Sequence, residues 1–423
     1  MNQRNFSRLA GICLALTVLT ATVAMALDWP AYRGPAGDGI TSEKILTHWP
    51  ANGPKVLWSV PLGDAFGSFA VAGDKAFVFE KSEDGEACAA LDARTGKELW
   101  STKIDRTIRD HDGGDGPRST PAVDGDNVYV LGTYLKLACL SAADGKIVWS
   151  HDLAAEFAGK APHWGNAASP LVEGDLVIVA GGGRGQSIIG FKKETGEVAW
   201  KGLDEKITHA TATPATIDGV HQDIFFMQSG LVSIAPETGE VLWRQPFPYN
   251  VSTAASPVVE NDVVYCSAGY GVGAGVYRVA KNGDKFTSTQ IWRMPGGDVN
   301  HWSTPVIRGD YIYGLFGFKE FKTMPLKCIE LATGKEVWSK PGFGQGGLVL
   351  VGDDLLVQAD TGQLVLVEAT PDSYHPLGIA RPLGGKCWTM PVVADGKIYV
   401  RSTKQGVCLD VSLKSGEGSG KSE

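Results

Sequence analysis

The chain has 423 residues, of which 43% are hydrophobic and 20% charged, so it can bury a full core and is neither disordered nor fibrous. Its formal net charge of −8 disfavours a nucleic-acid partner, because phosphate contacts require clustered Lys and Arg. The 54 glycines, 22 prolines and 12 tryptophans stand out from ordinary usage. Together they indicate a repeated unit of tight turns and large aromatic side chains.

The N-terminus is typical of a secretory signal peptide. Arginines precede the apolar stretch 9–19, and Ala24 and Ala26 form a small-x-small cleavage site. We expect cleavage after Ala26 and a periplasmic or secreted mature protein. An uncleaved membrane anchor is the alternative, since the apolar segment approaches the length of a spanning helix. No lipid anchor is predicted at Cys13, because Ile12 stands where a lipobox needs a small residue.

Six cysteines follow the predicted cleavage site, and an exported protein can pair cysteines as disulfides. Cys139, Cys328 and Cys408, however, occupy the same position of a repeated strand. Equivalent positions of separate repeats usually lie too far apart to bond, so we predict buried free thiols. The chain has no CxxC motif, and neither a zinc knuckle nor an attached haem is indicated.

Two sequence signatures alternate along the chain, and the first is a Ser/Thr-x-Pro or Ala-Ser-Pro motif. Apolar residues, a turn such as Gly-Asp and a β-branched or aromatic run follow it. Copies begin at Ser119, Ala168, Ala212, Ala255, Ser303 and Thr389, and degenerate copies begin at Phe69 and Leu348. The chain therefore contains eight units.

The second signature is an apolar strand, a Thr-Gly or Asp-Gly turn, and a Trp four residues after the glycine. It ends at Trp100, Trp149, Trp200, Trp243 and Trp338, and Trp292 ends a looser copy. Successive tryptophans of this set are 43 to 51 residues apart, which is the spacing of propeller blades. Each half-unit alternates with a two-residue period, so one unit is a four-stranded meander whose Trp covers the next unit.

The predicted fold is an all-β, eight-bladed β-propeller of four-stranded antiparallel blades. The last unit lacks its final strand, and the strand around Trp58 precedes the first unit, so we predict that this N-terminal strand closes the ring. The seventh blade is atypical, because Ile379 stands where Trp is expected. We divide the chain into a signal peptide, a cap, the propeller and a flexible tail, at residues 1–26, 27–53, 54–412 and 413–423.

The Thr-Gly-Lys-x-x-Trp turns, as at Thr95 to Trp100, resemble the tryptophan-docking repeat of PQQ-like, quinoprotein-type β-propellers over residues 54–412. That family includes quinoprotein dehydrogenases, the outer-membrane assembly factor BamB and exported bacterial propellers. The resemblance implies the propeller fold and leaves activity open. Quinoprotein dehydrogenases carry an adjacent Cys pair that this chain lacks, which favours a non-catalytic propeller. No calcium ligand or catalytic residue is transferred from them.

Residues just before the first strand of each blade converge on the central channel, which makes them the candidate binding residues. Most are aromatic, basic or amide side chains: Arg118, Trp164, Asn166, His209, Asn300, His301, Trp302, Lys386 and Trp388. Such a set suits a planar, anionic or carbonyl-bearing ligand. The alternative is that these side chains fill the channel and satisfy loop backbone groups. The acidic run 110–115 is interpreted as a solvated turn, and no metal ligand is assigned.

The sequence supports two candidate functions. The favoured one is an exported, BamB-like binding or scaffold module that engages a protein partner or small ligand through its loop faces and channel, with peripheral association with the envelope. The alternative is a PQQ- and calcium-dependent dehydrogenase of alcohols or sugars, in which the cofactor would lie on a channel aromatic.

Overall fold

The computed structural model describes residues 28–110, 113–297 and 299–413. Regular structure in these ranges consists of 33 strands and one short helix, Leu153–Glu156. The predicted signal peptide and nearly all of the predicted tail lie outside the described residues. Within them, no helix has both the length and the apolar character needed to cross a membrane.

Eight sheets, each with a four-stranded antiparallel meander, form the blades of a propeller, as predicted. The strands of each blade are listed from the channel outward. Blade 1 has Ala70–Ala72, Lys75–Lys81, Glu86–Asp92 and Glu98–Asp105; blade 2 has Ala122–Asp124, Asn127–Leu131, Lys136–Ser141 and Ile147–Asp152. Blade 3 has Leu171–Glu173, Leu176–Ala180, Ile188–Lys192 and Val198–Gly202; blade 4 has Thr213–Ile217, Val220–Met227, Gly230–Ile234 and Val241–Pro246. Blade 5 has Val258–Glu260, Val263–Ala268, Gly273–Asn282 and Lys285–Met294; blade 6 has Val306–Arg308, Tyr311–Leu315, Leu326–Glu330 and Glu336–Lys340. Blade 7 has Gly347–Val351, Asp354–Gln358, Leu364–Glu368 and Pro376–Ala380; blade 8 has Val392–Ala394, Lys397–Arg401, Gln405–Asp410 and Lys55–Pro61.

The last of these strands closes the ring, and this prediction is confirmed. Lys55–Pro61 pairs antiparallel with Gln405–Asp410, which places Trp58 opposite Cys408. The two ends of the propeller domain thus share one blade, and the edge that Gln405–Asp410 would otherwise present is covered. The six described cysteines are free and buried, which confirms the prediction of unpaired thiols.

The tryptophan at the end of one blade lies on the glycine turn of the next. Trp100 Nε1 donates to the Ala142 carbonyl at 3.2 Å, and a Cβ added to Gly145 would lie 2.5 Å from the Trp100 ring. Gly145 has a φ of +72°, so the turn needs glycine for its conformation and for its space. Five further tryptophans donate to a carbonyl of the following blade: Trp58, Trp149, Trp200, Trp292 and Trp338.

Two blades depart from this pattern. Trp243 donates to Gln222 within its own blade. The outer hairpin of blade 5 consists of two ten-residue strands, and no ring of the described residues lies within 4 Å of a Cβ added to Gly283 in its turn. Blade 7 has no Trp in its outer strand. Trp49 of the N-terminal segment packs there instead, and a Cβ added to Gly378 would lie 2.6 Å from its ring.

The hydroxyl groups of the first signature join neighbouring blades around the channel. The Ser68 amide donates to Thr120 Oγ1 at 3.0 Å, and the Thr120 amide donates to Ser169 Oγ at 2.9 Å. The Ser169 amide continues the series to Thr211 Oγ1 at 3.0 Å. In the other half of the ring, the Ser256 amide donates to Thr304 Oγ1. Ser and Thr recur in the motif because each hydroxyl satisfies a buried amide of the preceding blade.

Two faces of the ring differ in what they carry. The turn face bears the turn between the first two strands of each blade. The loop face bears the loops that precede the first strand and those that join the second strand to the third.

Residues 28–49 run across the turn face. Trp29 forms a bridge with Val71 of blade 1, and the Pro30 carbonyl accepts the Val123 amide of blade 2 at 2.8 Å. Three residues later, the buried Arg33 guanidinium donates to carbonyls of blade 6, at 2.9 Å for Pro305. Blades 2 and 6 lie opposite each other in an eight-membered ring, so the segment crosses the channel axis.

The same segment then joins the last two blades. The short strand Ile40–Thr41 pairs parallel with Gly347–Val351 of blade 7. Glu43 accepts the Gly396 amide of blade 8, and the Leu46 amide donates to the Val411 carbonyl at 2.7 Å. These contacts place the segment over the turn-face end of the channel.

Candidate functional site

A cavity of about 640 Å³ occupies the centre of the ring and opens on the loop face. Its wall includes Ser and Thr side chains of the inter-blade hydrogen bonds, and Tyr32 of the N-terminal segment forms part of its floor. Of the predicted binding residues, Arg118, Trp164, His209, Trp302 and Trp388 line it. None of the described residues that line it is Asp or Glu. The lining is therefore aromatic, hydroxylic and basic.

One side of the cavity mouth is an aromatic wall made of Phe66, Trp302, Phe321 and Trp388. The Trp302 and Trp388 rings are 4.7 Å apart, and Phe321 stacks on Trp388 at 5.4 Å with an interplanar angle of 8°. Phe66 completes the wall at 5.5 Å from Trp388. Phe321 is 47% exposed, so the wall presents apolar surface to an incoming ligand.

Lys386, another predicted binding residue, lies against this wall but is not itself one of the residues that line the cavity. Its Nζ is 3.9 Å from the centroid of Trp388 and donates to the Gly113 carbonyl at 3.3 Å. Burial lowers the pKa of the Lys386 ammonium. A cation held over an indole face beside a cavity can pair with an anionic group of a ligand.

Arg118 is engaged within the protein. Its guanidinium forms an ion pair with Asp110 at 3.1 Å and donates to the Gly114 and Gly116 carbonyls at 3.0 and 2.8 Å. The side chains of Arg118 and Asp110 are 11% and 12% exposed. The Asp110 carboxylate already balances the Arg118 charge, so Arg118 is less available than Lys386 to pair with an anionic ligand. Arg118 instead fixes the backbone at Gly114 and Gly116.

His209 is held as a neutral imidazole below Trp164. Its Nε2 bonds the His163 carbonyl at 2.8 Å, and its Nδ1 lies 3.0 Å from Ser252 Oγ. Burial lowers the pKa of His209 to about 4. An imidazole this weakly basic, with Nε2–H donating to a carbonyl, is a poor general base for Ser252 at neutral pH. Trp164 stacks on Tyr270 at 6.4 Å, and both rings line the cavity.

His301 lies behind the cavity wall. It is buried, and among the described residues neither ring nitrogen has a hydrogen-bond partner. Its ring packs between Tyr270 at 5.3 Å and Phe318 at 5.2 Å, and burial lowers its pKa to about 3. The His301 carbonyl accepts the amides of Ala254 and Ala255. His301 is thus a neutral packing residue that fixes the neighbouring loop.

The two predicted asparagines do not line the cavity. Asn166 donates to the Ala168 carbonyl at 2.9 Å. Asn300 donates to the Leu315 carbonyl at 2.8 Å and accepts the Tyr265 hydroxyl at 2.6 Å. Both amides are buried and hold loop backbone, which agrees with the alternative considered for these residues.

Several lining residues were missed by the sequence reasoning. Tyr270, Lys319 and Phe321 belong to loops between the second and third strands of blades 5 and 6, and Phe66 precedes a degenerate repeat. In an antiparallel meander these loops emerge on the same face as the loops before the first strand. Aromatic residues in the loops between the second and third strands could therefore have indicated these additional lining residues.

Comparison with known proteins places the chain in a family. The family model of the outer membrane protein assembly factor BamB matches residues 83–315, which is more than half of the chain. The chain belongs to this family. BamB of Burkholderia pseudomallei is 27% identical over 261 residues, 59% of each chain, so the match spans less than two thirds of that relative. BamB of Shewanella oneidensis is 22% identical over 373 residues, 82% of this chain and 86% of its own.

Solved structures show how widely this fold is shared. BamB of Moraxella catarrhalis superposes with a TM-score of 0.59 at 16% identity and covers 84% of this chain and 97% of its own. The quinohemoprotein alcohol dehydrogenase of Comamonas testosteroni superposes with a TM-score of 0.63 at 14% identity, over 92% of this chain and 81% of its own. At such identities the likeness concerns the fold alone.

Proposed function

We propose that the protein is an exported binding module whose loop-face cavity holds a segment of a partner protein that carries an aromatic group and negative charge. The observation that carries the proposal is the aromatic wall of a cavity whose described lining has no carboxylate, with Lys386 Nζ beside the cavity over the Trp388 ring. An aromatic side chain would pack against this wall, where Phe321 is exposed, and an acidic one would meet Lys386. A volume of about 640 Å³ suits a few side chains of a ligand.

Two further facts support a binding role. The curated relatives are named for outer membrane protein assembly, which is work done on other proteins. The N-terminal sequence is typical of a secretory signal peptide, and such a signal would place the mature protein in the periplasm or outside the cell, with peripheral envelope association through its partner.

The dehydrogenase alternative is favoured by the fold of the quinohemoprotein alcohol dehydrogenase and by tryptophans in the cavity. A calcium ion prefers carboxylate and carbonyl oxygens, and the described cavity lining offers no carboxylate. The nearby Asp110 carboxylate is paired with Arg118. The residues present therefore do not fit a calcium–quinone pair.

Site-specific photo-crosslinking tests the proposal. The mature protein carries a benzophenone amino acid in place of Phe321, and a matched sample carries it in place of Val148, which is 51% exposed on the outer strand of blade 2. With an envelope extract of the source cells, we expect a discrete crosslinked partner from position 321 and none from position 148. Trp388→Ala and Lys386→Met should each reduce the yield at least about tenfold, and Lys386→Arg should preserve it.

Two outcomes would contradict this proposal. Equal crosslinking from both positions would mean that the loop-face cavity is not the binding site. A quinone absorbance retained after titration with PQQ and calcium, together with dye-linked alcohol or sugar oxidation, would favour the dehydrogenase.

A further inference from the structure

A cluster of three ionisable side chains lies on the turn face between blades 3 and 4, away from the loop-face cavity. Glu173 ends the first strand of blade 3, and His221 and Asp223 lie on the second strand of blade 4. Because His221 and Asp223 are two residues apart in a strand, their side chains point to the same side of the sheet. One ligand atom from each of the three residues lies within 4.8 Å of the others.

Asp223 is a buried carboxylate that lacks compensation. Its side chain is fully buried, and among the described residues neither carboxylate oxygen has a hydrogen-bond partner. The charged groups that act on it, Glu173 and Glu237, are both acidic, so neither supplies a compensating positive charge. Glu86, another buried acid, by contrast accepts two hydrogen bonds from Thr133. A buried carboxylate without a hydrogen-bond partner is unfavourable unless a proton or a metal cation neutralises it.

His221 and Glu173 supply the other two donors at an accessible edge. His221 Nε2 lies 2.7 Å from Glu173 Oε2, and the His221 side chain is 44% exposed. A divalent ion from solution can therefore reach the cluster beside the imidazole. Two carboxylates and one imidazole match the donor types of zinc, whereas calcium and magnesium prefer oxygen alone.

We propose that Glu173, His221 and Asp223 bind one Zn²⁺ ion that joins blades 3 and 4, with water as the fourth ligand. Tetrahedral zinc with bonds of about 2.0–2.2 Å separates its ligand atoms by about 3.4 Å. The imidazole and the Glu173 carboxylate must move apart from their present hydrogen bond, which the exposure of His221 permits. The ion would neutralise Asp223 and would replace the direct contact of His221 with Glu173. This site is independent of the proposed cavity function.

Metal titration of the mature, untagged protein tests the site. After dialysis against a chelator, calorimetry with zinc chloride should give one ion per chain, and Co²⁺ should give the visible absorption of a tetrahedral site. Loss of a residue that only supports a metal ligand typically weakens metal binding by about 10–100-fold. His221→Ala and Glu173→Gln each remove a direct ligand and should weaken zinc binding more than that. The matched control is His375→Ala, since His375 forms an exposed pair with Glu368 at 3.4 Å and belongs to no such cluster among the described residues.

A second measurement addresses Asp223 directly. Zinc should raise the Tm of the parent protein by mass action and leave the Tm of Asp223→Asn unchanged. If Asp223→Asn does not fold, zinc binding by His221→Ala and Glu173→Gln still tests the site. The proposal is overturned if zinc does not bind stoichiometrically, if His375→Ala weakens binding as much as His221→Ala, or if folded Asp223→Asn keeps the parent affinity.

Discussion

Buried charged residues in this ring are compensated mainly by backbone groups and hydroxyls. Arg33 donates to carbonyls of blade 6, and Arg401 donates to the Gly63 carbonyl at 2.7 Å. Glu86 accepts the Thr133 amide at 3.0 Å and the Thr133 hydroxyl. Such bonds satisfy the polar atoms without supplying an opposite charge, so burial still disfavours ionisation. Burial accordingly raises the pKa of Glu86 to about 7.

This shift gives a pH-dependent stability. Between an unfolded pKa near 4.5 and the folded value of about 7, the folded state binds the Glu86 proton more tightly. The Glu86 contribution to the free energy of unfolding should therefore fall as the pH rises through this window. Glu86→Gln removes the titrating proton, and its amide can still accept the Thr133 amide and donate to the Thr133 hydroxyl. We expect Glu86→Gln to stabilise the protein at pH 8, by up to about 3 kcal/mol, and to have little effect at pH 4.

Urea denaturation of both proteins at pH 4, 6 and 8 measures the effect through the midpoint. Glu240→Gln, at an exposed turn, is the control and should leave the urea midpoint unchanged at all three pH values. If the difference between Glu86→Gln and the parent stays constant with pH, Glu86 does not titrate in this window.

For individual side chains, the sequence predicted which residue types line the cavity better than it predicted what each one contacts. Arg118, Trp302 and Trp388 line the cavity because loops before the first strand of a blade must meet at the centre of the ring. That Asp110 neutralises Arg118 depends on the path of one loop, and a repeat pattern does not encode it. The cluster at Asp223 likewise depends on the stagger between neighbouring blades, which strand periodicity leaves undetermined.

The elements of the fold are coupled through the tryptophan and glycine pairs. Each pair joins the outer strand of one blade to the turn of the next, as Trp100 does with Gly145. Their regular spacing is why blade number and strand order could be predicted. Blade 5 shows the limit of that pattern, because its outer hairpin has two ten-residue strands and Trp243 bonds within blade 4 instead. The replacement of a blade-7 tryptophan by Trp49 depends on chain tracing outside the repeat.

Alanine at Gly145 tests this coupling. A Cβ there would lie 2.5 Å from the Trp100 ring, at a φ of +72°. Gly219 has a nearly equal φ of +76° but has nothing within 4 Å of an added Cβ. We expect Gly219→Ala to cost about 1 kcal/mol through its backbone conformation. Gly145→Ala should cost about 1–3 kcal/mol more, because the Trp100 ring must shift.

Thermal and urea unfolding of the two variants give the comparison, and quenching of tryptophan fluorescence by iodide reports the displaced ring. Equal destabilisation of the two variants would show that contact between Trp100 and the turn contributes nothing beyond the glycine conformation.

The whole ring depends on two N-terminal pieces with different tasks. The strand Lys55–Pro61 completes blade 8, whereas residues 28–49 cover the turn face. A chain that starts at residue 54 keeps the closing strand, so we expect a monomer with the parent β content and a lower thermal midpoint. A chain that starts at residue 63 exposes the edge of Gln405–Asp410 and should aggregate.

Light scattering and circular dichroism of the two shortened chains, each compared with the chain from residue 27, check this expectation. Aggregation of the chain from residue 54, or a stable monomer from residue 63, would contradict the division of roles between cap and closing strand.

Residues 28–33 cross the channel axis on the turn face and place Tyr32 in the cavity lining, so the central cavity is open on the loop face and obstructed at the other end. A ligand must enter and leave by the same route, so its association and dissociation pass the same aromatic rim. A partner segment that binds in this cavity, as we propose, would therefore enter as a chain terminus or as the tip of a loop and would not thread through the ring.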